Sequence, residues 1–74
     1  MLPKLIHYKQ RVLDRIPMDR DPNDRHIREW TEQWIQPKRL LADMQREGLI
    51  KIEYINDRGC WRRVLTPIVD RIVQ

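Results

Sequence analysis

The chain contains five prolines, and their positions limit the length of its helices and strands. Proline has a fixed φ angle and no amide hydrogen, so it is tolerated in the first turn of a helix but breaks a helix interior. The prolines stand at positions 3, 17, 22, 37 and 67. Because Pro3, Pro22 and Pro37 each precede periodic apolar residues, we expect each of them in the first turn of a helix.

Apolar residues recur at helical spacing in three of the resulting segments. We predict helices over residues 3–16, 22–34 and 37–47, with Gly48 as the C-terminal stop of the third. The apolar positions are Leu2, Leu5, Ile6, Val12, Leu13 and Ile16, then Ile27, Trp30, Trp34 and Ile35, then Leu40, Leu41 and Met44. These residues form the predicted core, which includes both tryptophans of the second helix.

The loop before the second helix carries a capping signal. Residues 17–22 hold two prolines and three charged residues, a composition typical of a loop. Asp21 is the predicted N-cap, with Pro22 at the first helical position and Asp24 facing the helix dipole. Only two to four residues are expected between the second and third helices, which is the connection of a helix-turn-helix.

After Gly48 the pattern changes to alternation. Residues 49–55 and 60–66 are rich in β-branched and aromatic side chains, and a turn signal lies between them over residues 56–59. A hairpin in which Asn56 faces Gly59 follows from this pattern. Its predicted register pairs Tyr54 with Trp61, Glu53 with Arg62, Ile52 with Arg63 and Ile50 with Leu65.

The last segment has the signature of another helix. Thr66 followed by Pro67 is typical of an N-cap and a first helical residue, so we predict a helix over residues 67–73. Such a helix is too short to be stable alone. We therefore expect it to dock on the first helix or on a partner chain, so a homodimer formed through the N- and C-terminal helices is one arrangement.

The stretch from Lys38 to Ile50, with the residues Asp57-Arg58-Gly59 and the strand ending Val64-Leu65-Thr66, resembles the winged helix-turn-helix family. Regulators of the MarR kind show a similar run, although their long dimerising helices have no counterpart here. The resemblance covers residues 24–66. It implies an α+β fold with three helices, a two-stranded wing over residues 49–66 and a short C-terminal helix. It also implies that the third helix enters the major groove of DNA.

Candidate base contacts follow from the side of the third helix opposite its apolar residues. At 100° per residue that side holds Lys38, Arg39, Ala42 and Arg46, with Gln45 at its border. Arginine can bind guanine through two hydrogen bonds, and glutamine can bind adenine in the same way. The alternative is an ordinary solvated helix face.

Candidate phosphate contacts lie on the wing and on the second helix. Arg58 at the turn is the first of them, and its alternative role is a charged tip that discourages edge-to-edge strand pairing. The further candidates are Arg62 and Arg63 on the wing, and Arg25 and Arg28 near the start of the second helix. For Arg28 an ion pair with Glu32 is an equal alternative. Trp61 is expected to pack on Tyr54 instead of stacking on a base.

Signals for catalysis, cofactors and metals are weak. The chain has no serine and two glycines, which removes serine nucleophiles and glycine-rich phosphate loops. His7, His26 and Cys60 lack the spacing of a zinc site. We expect no enzyme activity, no cofactor and no metal.

Composition limits the remaining choices. The 74 residues are 41% hydrophobic and 35% charged, which predicts one folded domain over residues 1–74. The net charge of +4 favours polyanions, although residues 24–48 carry five cations and five carboxylates. No apolar run approaches the roughly 18 residues that span a bilayer, and residues 1–16 are too charged for a signal peptide. We expect a cytoplasmic protein without a membrane partner.

Two functions of different classes follow. The first is sequence-specific binding of double-stranded DNA by a transcriptional regulator, with residues 37–47 reading the major groove and the wing holding phosphate. The second is a small interaction or inhibitor module of the phage type, which binds a host protein such as RNA polymerase or a defence nuclease. Binding of single-stranded nucleic acid is a minor third option, since no exposed aromatic array is predicted.

Overall fold

The computed structural model describes residues 5–32 and 36–72. Its elements are α1 (Leu5–Arg15), a 3-10 turn (Ile16–Met18), α2 (Asp24–Trp30), α3 (Pro37–Arg46), β1 (Ile50–Asp57) and β2 (Cys60–Pro67). The predicted α+β class, with three helices followed by an antiparallel hairpin, is confirmed. This layout is compatible with a winged-helix arrangement.

One buried cluster joins all of these elements. Its members are Val12, Leu13, Ile16, Ile27, Leu40, Leu41, Met44, Ile50 and Leu65. Trp30 is half-buried and packs against this cluster, whereas Leu5, a predicted core residue, is largely exposed. The predictions for Leu2, for the helix start at residues 3–4, and for Trp34 and Ile35 lie outside the described residues.

The N-cap of α2 is Asn23, so the prediction of Asp21 was wrong. The Asn23 side chain accepts the backbone N–H of His26 at 2.9 Å, and its extended backbone suits a cap. Asp21 instead pairs with Arg62 on the hairpin. With Thr31 as C-cap, α2 has seven residues and is shorter than the predicted range 22–34.

The predicted bounds of α3 are confirmed to within one residue. Pro37 occupies its first turn after an extended Gln36. At the other end Gly48 has a φ of +80°, the left-handed conformation that commonly ends helices. The N–H of Leu49 then donates to the carbonyl of Met44 at 2.9 Å, which turns the chain into β1.

The hairpin is confirmed, but its register differs from the predicted one by two residues. Asp57 pairs with Cys60, which leaves Arg58 and Gly59 as the loop, with φ angles of +53° and +85°. Two positive φ angles define the type I′ turn, whose twist matches that of the flanking strands. A shift of two residues changes each residue's partner but keeps its side chain on the same face.

In the observed register Tyr54 lies opposite Arg63, and Trp61 lies opposite Asn56. The predicted pairs Tyr54–Trp61 and Glu53–Arg62 were therefore wrong. Each of these pairs becomes a diagonal neighbour on one face of the hairpin. The predicted turn has Asn56 facing Gly59, but Asn56 is a strand residue. Its side chain accepts the N–H of Gly59, and the loop begins two residues later, at Arg58.

The terminal helix predicted over residues 67–73 is absent from its described part, residues 67–72. Pro67 belongs to β2, and the N–H of Ile68 donates to the carbonyl of Leu49 at 2.9 Å, which prolongs the strand pairing. Thr66 is consequently a strand residue and not an N-cap. Residue 73 lies outside the described part of the chain.

Docking of this segment on the first helix is confirmed, but in irregular form. The side chain of Gln10 donates to the carbonyl of Asp70 at 3.0 Å and accepts the N–H of Ile72 at 2.9 Å. Val69 and Ile72 also pack against the core. Side-chain hydrogen bonds from α1 thus replace the helical hydrogen bonds that the sequence pattern predicts.

Candidate nucleic-acid interface

The exposed side of α3 carries the predicted contact residues. Lys38, Arg39, Ala42, Gln45 and Arg46 are all exposed, and the opposite side of the helix is buried in the core. Ala42 lies at the centre of this exposed side. Its small side chain leaves the helix backbone open to close approach by a large partner.

A groove of about 450 Å³ separates α3 from the hairpin. Its lining residues are Lys38, Leu41, Ala42, Gln45, Ile52, Tyr54 and Arg63; we call it the α3–hairpin groove. The Gln45 side-chain oxygen accepts the backbone N–H of Ile52 at 2.8 Å, which ties the two walls together. In a bidentate contact with adenine the same oxygen would have to accept a second hydrogen bond through its other lone pair.

The cations of α3 differ in their surroundings. Arg46 forms an ion pair with Asp43 one turn earlier on the helix. Within residues 5–32 and 36–72, Lys38 and Arg39 have no carboxylate within ion-pair distance. The positive charge of these two side chains is therefore available to an external anion.

Arg58 stands at the turn of the hairpin and is exposed. Its φ of +53° is unusual for a residue with a side chain. In the part of the chain that the structure describes, it too has no carboxylate partner. The tip of the hairpin thus presents a free guanidinium to solvent.

Arg62 is half-exposed but is paired with carboxylates of the same chain. Its guanidinium bonds to Asp21 through two nitrogens and to Asp57 at 3.4 Å. The hydrogen bond and the charge of Arg62 lower the pKa of the exposed Asp21 carboxyl, and Asp21 raises the pKa of Arg62 in return. These contacts join the hairpin to the loop before α2.

Arg63 makes a second link to the same loop. Its Nη2 atom donates to Asp24 Oδ1 and to the carbonyl of Pro22, both at 3.0 Å. Its side chain is only 17% exposed. The sequence offers no signal for these pairings, because they connect residues about forty positions apart.

The candidates on α2 do not join the α3–hairpin groove. Arg25 lies 3.7 Å from Glu29 on the same helix, and Arg28 is exposed. The alternative pair of Arg28 with Glu32 is not formed, because Glu32 pairs with Arg11 of α1 at 3.0 Å. Neither arginine lines the groove.

Tyr54 was not predicted as a contact residue, and Trp61 was expected to pack on Tyr54 instead of stacking on a base. Tyr54 is 66% exposed and Trp61 is 69% exposed, on one face of the hairpin. The expectation that they cover each other was based on the wrong register. The available signal was their distance from the base of the hairpin, where Ile50 and Leu65 are the buried residues of the same face.

Other chemistry finds little support among the described residues. No group of three or more histidine, cysteine or carboxylate side chains is placed to hold a metal ion. Cys60 is exposed, and His26 Nδ1 lies 3.2 Å from a carboxylate oxygen of Asp19, the residue that follows the 3-10 turn. None of the helices described here has the length and apolar character needed to cross a membrane.

Comparison with known proteins gave no match: no family model, no curated protein and no solved structure matches this chain.

Proposed function

We propose that this chain is a winged-helix protein that binds double-stranded DNA, with α3 in the major groove and the hairpin tip against the phosphate backbone. The observation that carries this proposal is the exposed side of α3. There Lys38 and Arg39, both without ion-pair partners in the described chain, lie one helical turn before the small residue Ala42. A helix with a small exposed residue can lie close to the base edges of the major groove, and the cations near that residue can contact the DNA.

The free cation at the hairpin tip supports the same orientation. Arg58 lies at the tip of the hairpin. The same hairpin forms one wall of the α3–hairpin groove. When α3 lies in the groove of a duplex, a neighbouring hairpin comes next to the sugar–phosphate backbone. Arg58 then supplies a phosphate contact that positions the protein and carries no base specificity.

The number of cations that are free to contact phosphate limits the strength of this interaction. Arg62 and Arg63 are held by Asp21 and Asp24, so they are left out of the proposed contacts. Arg46 is likewise paired with Asp43, so the unpaired set among the described candidates is Lys38, Arg39 and Arg58. Three phosphate contacts correspond to a slope of roughly −3 in a plot of log affinity against log salt concentration. Base reading by Arg39 or Arg46 would make the protein a sequence-specific regulator.

A second function is favoured by the same internal pairing. Neutralised arginines lower the positive potential of the hairpin, while Tyr54, Ile55 and Trp61 expose apolar surface. These features suit an interaction or inhibitor module that binds a host protein. That alternative predicts a stoichiometric protein complex and no DNA binding at low salt.

The deciding experiment is a fluorescence anisotropy titration against random duplex DNA at two salt concentrations. The variant Lys38→Ala/Arg39→Ala should lose affinity and reduce the salt slope by about two. The matched control, Arg15→Ala/Arg71→Ala, removes the same charge from α1 and the C-terminal segment and should change neither. Absence of binding by the wild type at low salt, or an equal loss in both variants, would overturn the proposal.

A further inference from the structure

The hairpin face that lines the α3–hairpin groove exposes two large aromatic side chains. Ile52 and Tyr54 of β1 and Arg63 of β2 border the groove. In the observed register Trp61 lies on this same face, beyond Arg63 towards the tip. Tyr54 thus lies across the groove from the proposed DNA-binding helix and Trp61 lies further along the same hairpin face, each about two-thirds exposed.

The two faces of the hairpin differ in charge. Outside its buried base, the groove face carries Ile52, Tyr54, Asn56, Trp61 and Arg63, and so it has one cation and no carboxylate. The opposite face carries both carboxylates of the hairpin, Glu53 and Asp57. Lys38 lies across the groove and adds a second cation to the aromatic side.

Trp61 also borders a second, smaller groove together with Asp21 and Asp24. Those two carboxylates are paired with Arg62 and Arg63, so the charges of both arginines are offset as well. The unpaired positive charge beside the exposed rings is that of Lys38, on the opposite wall of the α3–hairpin groove. Exposed rings beside a cation are the combination that binds unpaired nucleotides, where bases stack on aromatic rings and phosphates contact cations.

The spacing of the two rings fits the same ligand. Tyr54 and Trp61 are diagonal neighbours across the hairpin, since Tyr54 pairs with Arg63. Diagonal positions are about 7–8 Å apart in an antiparallel pair, which is about twice the 3.4 Å spacing of stacked bases. Tyr54 and Trp61 border different grooves, with Arg63 at the edge of both, so each exposed ring can stack on a separate base of one unpaired strand.

We propose that Tyr54 and Trp61 stack on unpaired bases, so that the ligand is a DNA duplex that carries a single-stranded extension. This inference rests on the proposed function, because α3 supplies the duplex contact. It makes the hairpin the part of the protein that selects for the junction. The groove between α3 and the hairpin would lie where the unpaired strand leaves the duplex.

The test compares three DNAs of the same duplex sequence: one blunt, one with a short single-stranded tail, and one with an abasic tail of equal length. The abasic tail supplies phosphates without bases. Wild-type protein should bind the normal tail about tenfold more tightly than either other DNA. Trp61→Ala and Tyr54→Ala should each lose most of that gain, and Trp61→Phe should keep most of it.

Ile55→Ala is the matched control, since Ile55 is a half-exposed apolar residue on the opposite face of the hairpin. It should keep the full gain. Equal affinity for the blunt and tailed DNAs, or an equal gain from the abasic tail, would overturn the stacking inference alone. Failure of the wild type to bind any of the three DNAs would overturn the proposed function itself.

Discussion

Gln45 of α3 accepts the backbone N–H of Ile52 of β1 at 2.8 Å, and this hydrogen bond crosses the groove on which both proposals depend. It joins a helix side chain to a strand backbone seven residues later. The orientation of the hairpin relative to α3 is therefore coupled to one side-chain amide.

Replacement of Gln45 by alanine should loosen the hairpin. Loss of one hydrogen bond of this kind lowers the free energy of unfolding by about 1 kcal/mol, and the Ile52 amide hydrogen should exchange faster with solvent. Gln45→Glu keeps an oxygen acceptor and should retain most of the protection. Hydrogen exchange measured by NMR tests both variants, and an unchanged Ile52 rate in Gln45→Ala would contradict the role given to this contact.

Arg58→Asn should separate folding from binding. Arginine at a φ of +53° is strained, whereas Asn-Gly is the preferred loop of a type I′ turn. The substitution should raise the free energy of unfolding by about 1 kcal/mol, yet weaken DNA binding and reduce the salt slope by about one. Thermal unfolding and anisotropy measure the two effects.

The matched change at the other loop residue is Gly59→Ala. Its added Cβ would meet no atom within 4 Å, so only the φ of +85° opposes it. It should destabilise the hairpin while leaving the Arg58 charge in place. A lower melting temperature in Arg58→Asn would show that the turn is formed differently, whereas unchanged or tighter DNA binding would contradict the phosphate contact of Arg58.

Acid should remove the contribution of the contact between Asp21 and Arg62. Because Arg62 lowers the pKa of Asp21 in the folded protein, the contact stabilises the fold above the ordinary carboxyl value of 3.8. This stabilisation is lost as the pH falls through the lowered folded value. Since both side chains are exposed, the effect should be small and should weaken with added salt.

The measurement is the melting temperature of wild type and Asp21→Asn over a range of pH, followed by circular dichroism. The wild type should be slightly more stable near neutral pH, and the two curves should converge as the pH falls through the lowered pKa of Asp21. A difference that stays constant across this range would mean that Asp21 acts through something other than its charge.

Arg63→Ala should destabilise the fold more than Arg62→Ala. Arg63 is the more buried of the two, and it bonds to a carboxylate and to a backbone carbonyl. Loss of these charged hydrogen bonds should lower the free energy of unfolding by about 2 kcal/mol, as measured by urea denaturation.

Arg63→Lys provides the matched comparison. It keeps the charge, and among the described residues the buried Nε of Arg63 has no hydrogen-bond partner to lose. This variant should therefore lie between the wild type and Arg63→Ala. Equal stability of Arg62→Ala and Arg63→Ala would mean that burial does not distinguish the two links.

Local patterns were sufficient for much of the fold. The helical spacing of Leu40, Leu41 and Met44 after Pro37 predicted α3 and the side it exposes, and the alternation after Gly48 predicted the hairpin. These features depend on a few neighbouring residues, whose periodicity and backbone restrictions act before any long-range contact forms.

The candidate site was predictable only in part. Exposure of Lys38, Arg39, Ala42 and Arg46 follows directly from the helical period. The internal pairing of Arg62 with Asp21 and the exposure of Trp61 do not, because both depend on the register of the hairpin and on how it packs against the loop before α2.

The order of the three helices and two strands, and the bounds of α3 to within one residue, follow from the sequence alone. The tertiary structure decided which arginines remain free, which aromatic rings stay uncovered and why residues after Pro67 lie on α1 without forming a helix. The two sets of features differ in the sequence separation of the residues that interact. Periodicity and turn chemistry act between neighbours, whereas ion pairs, register and docking are settled by contacts between residues that only the folded chain brings together.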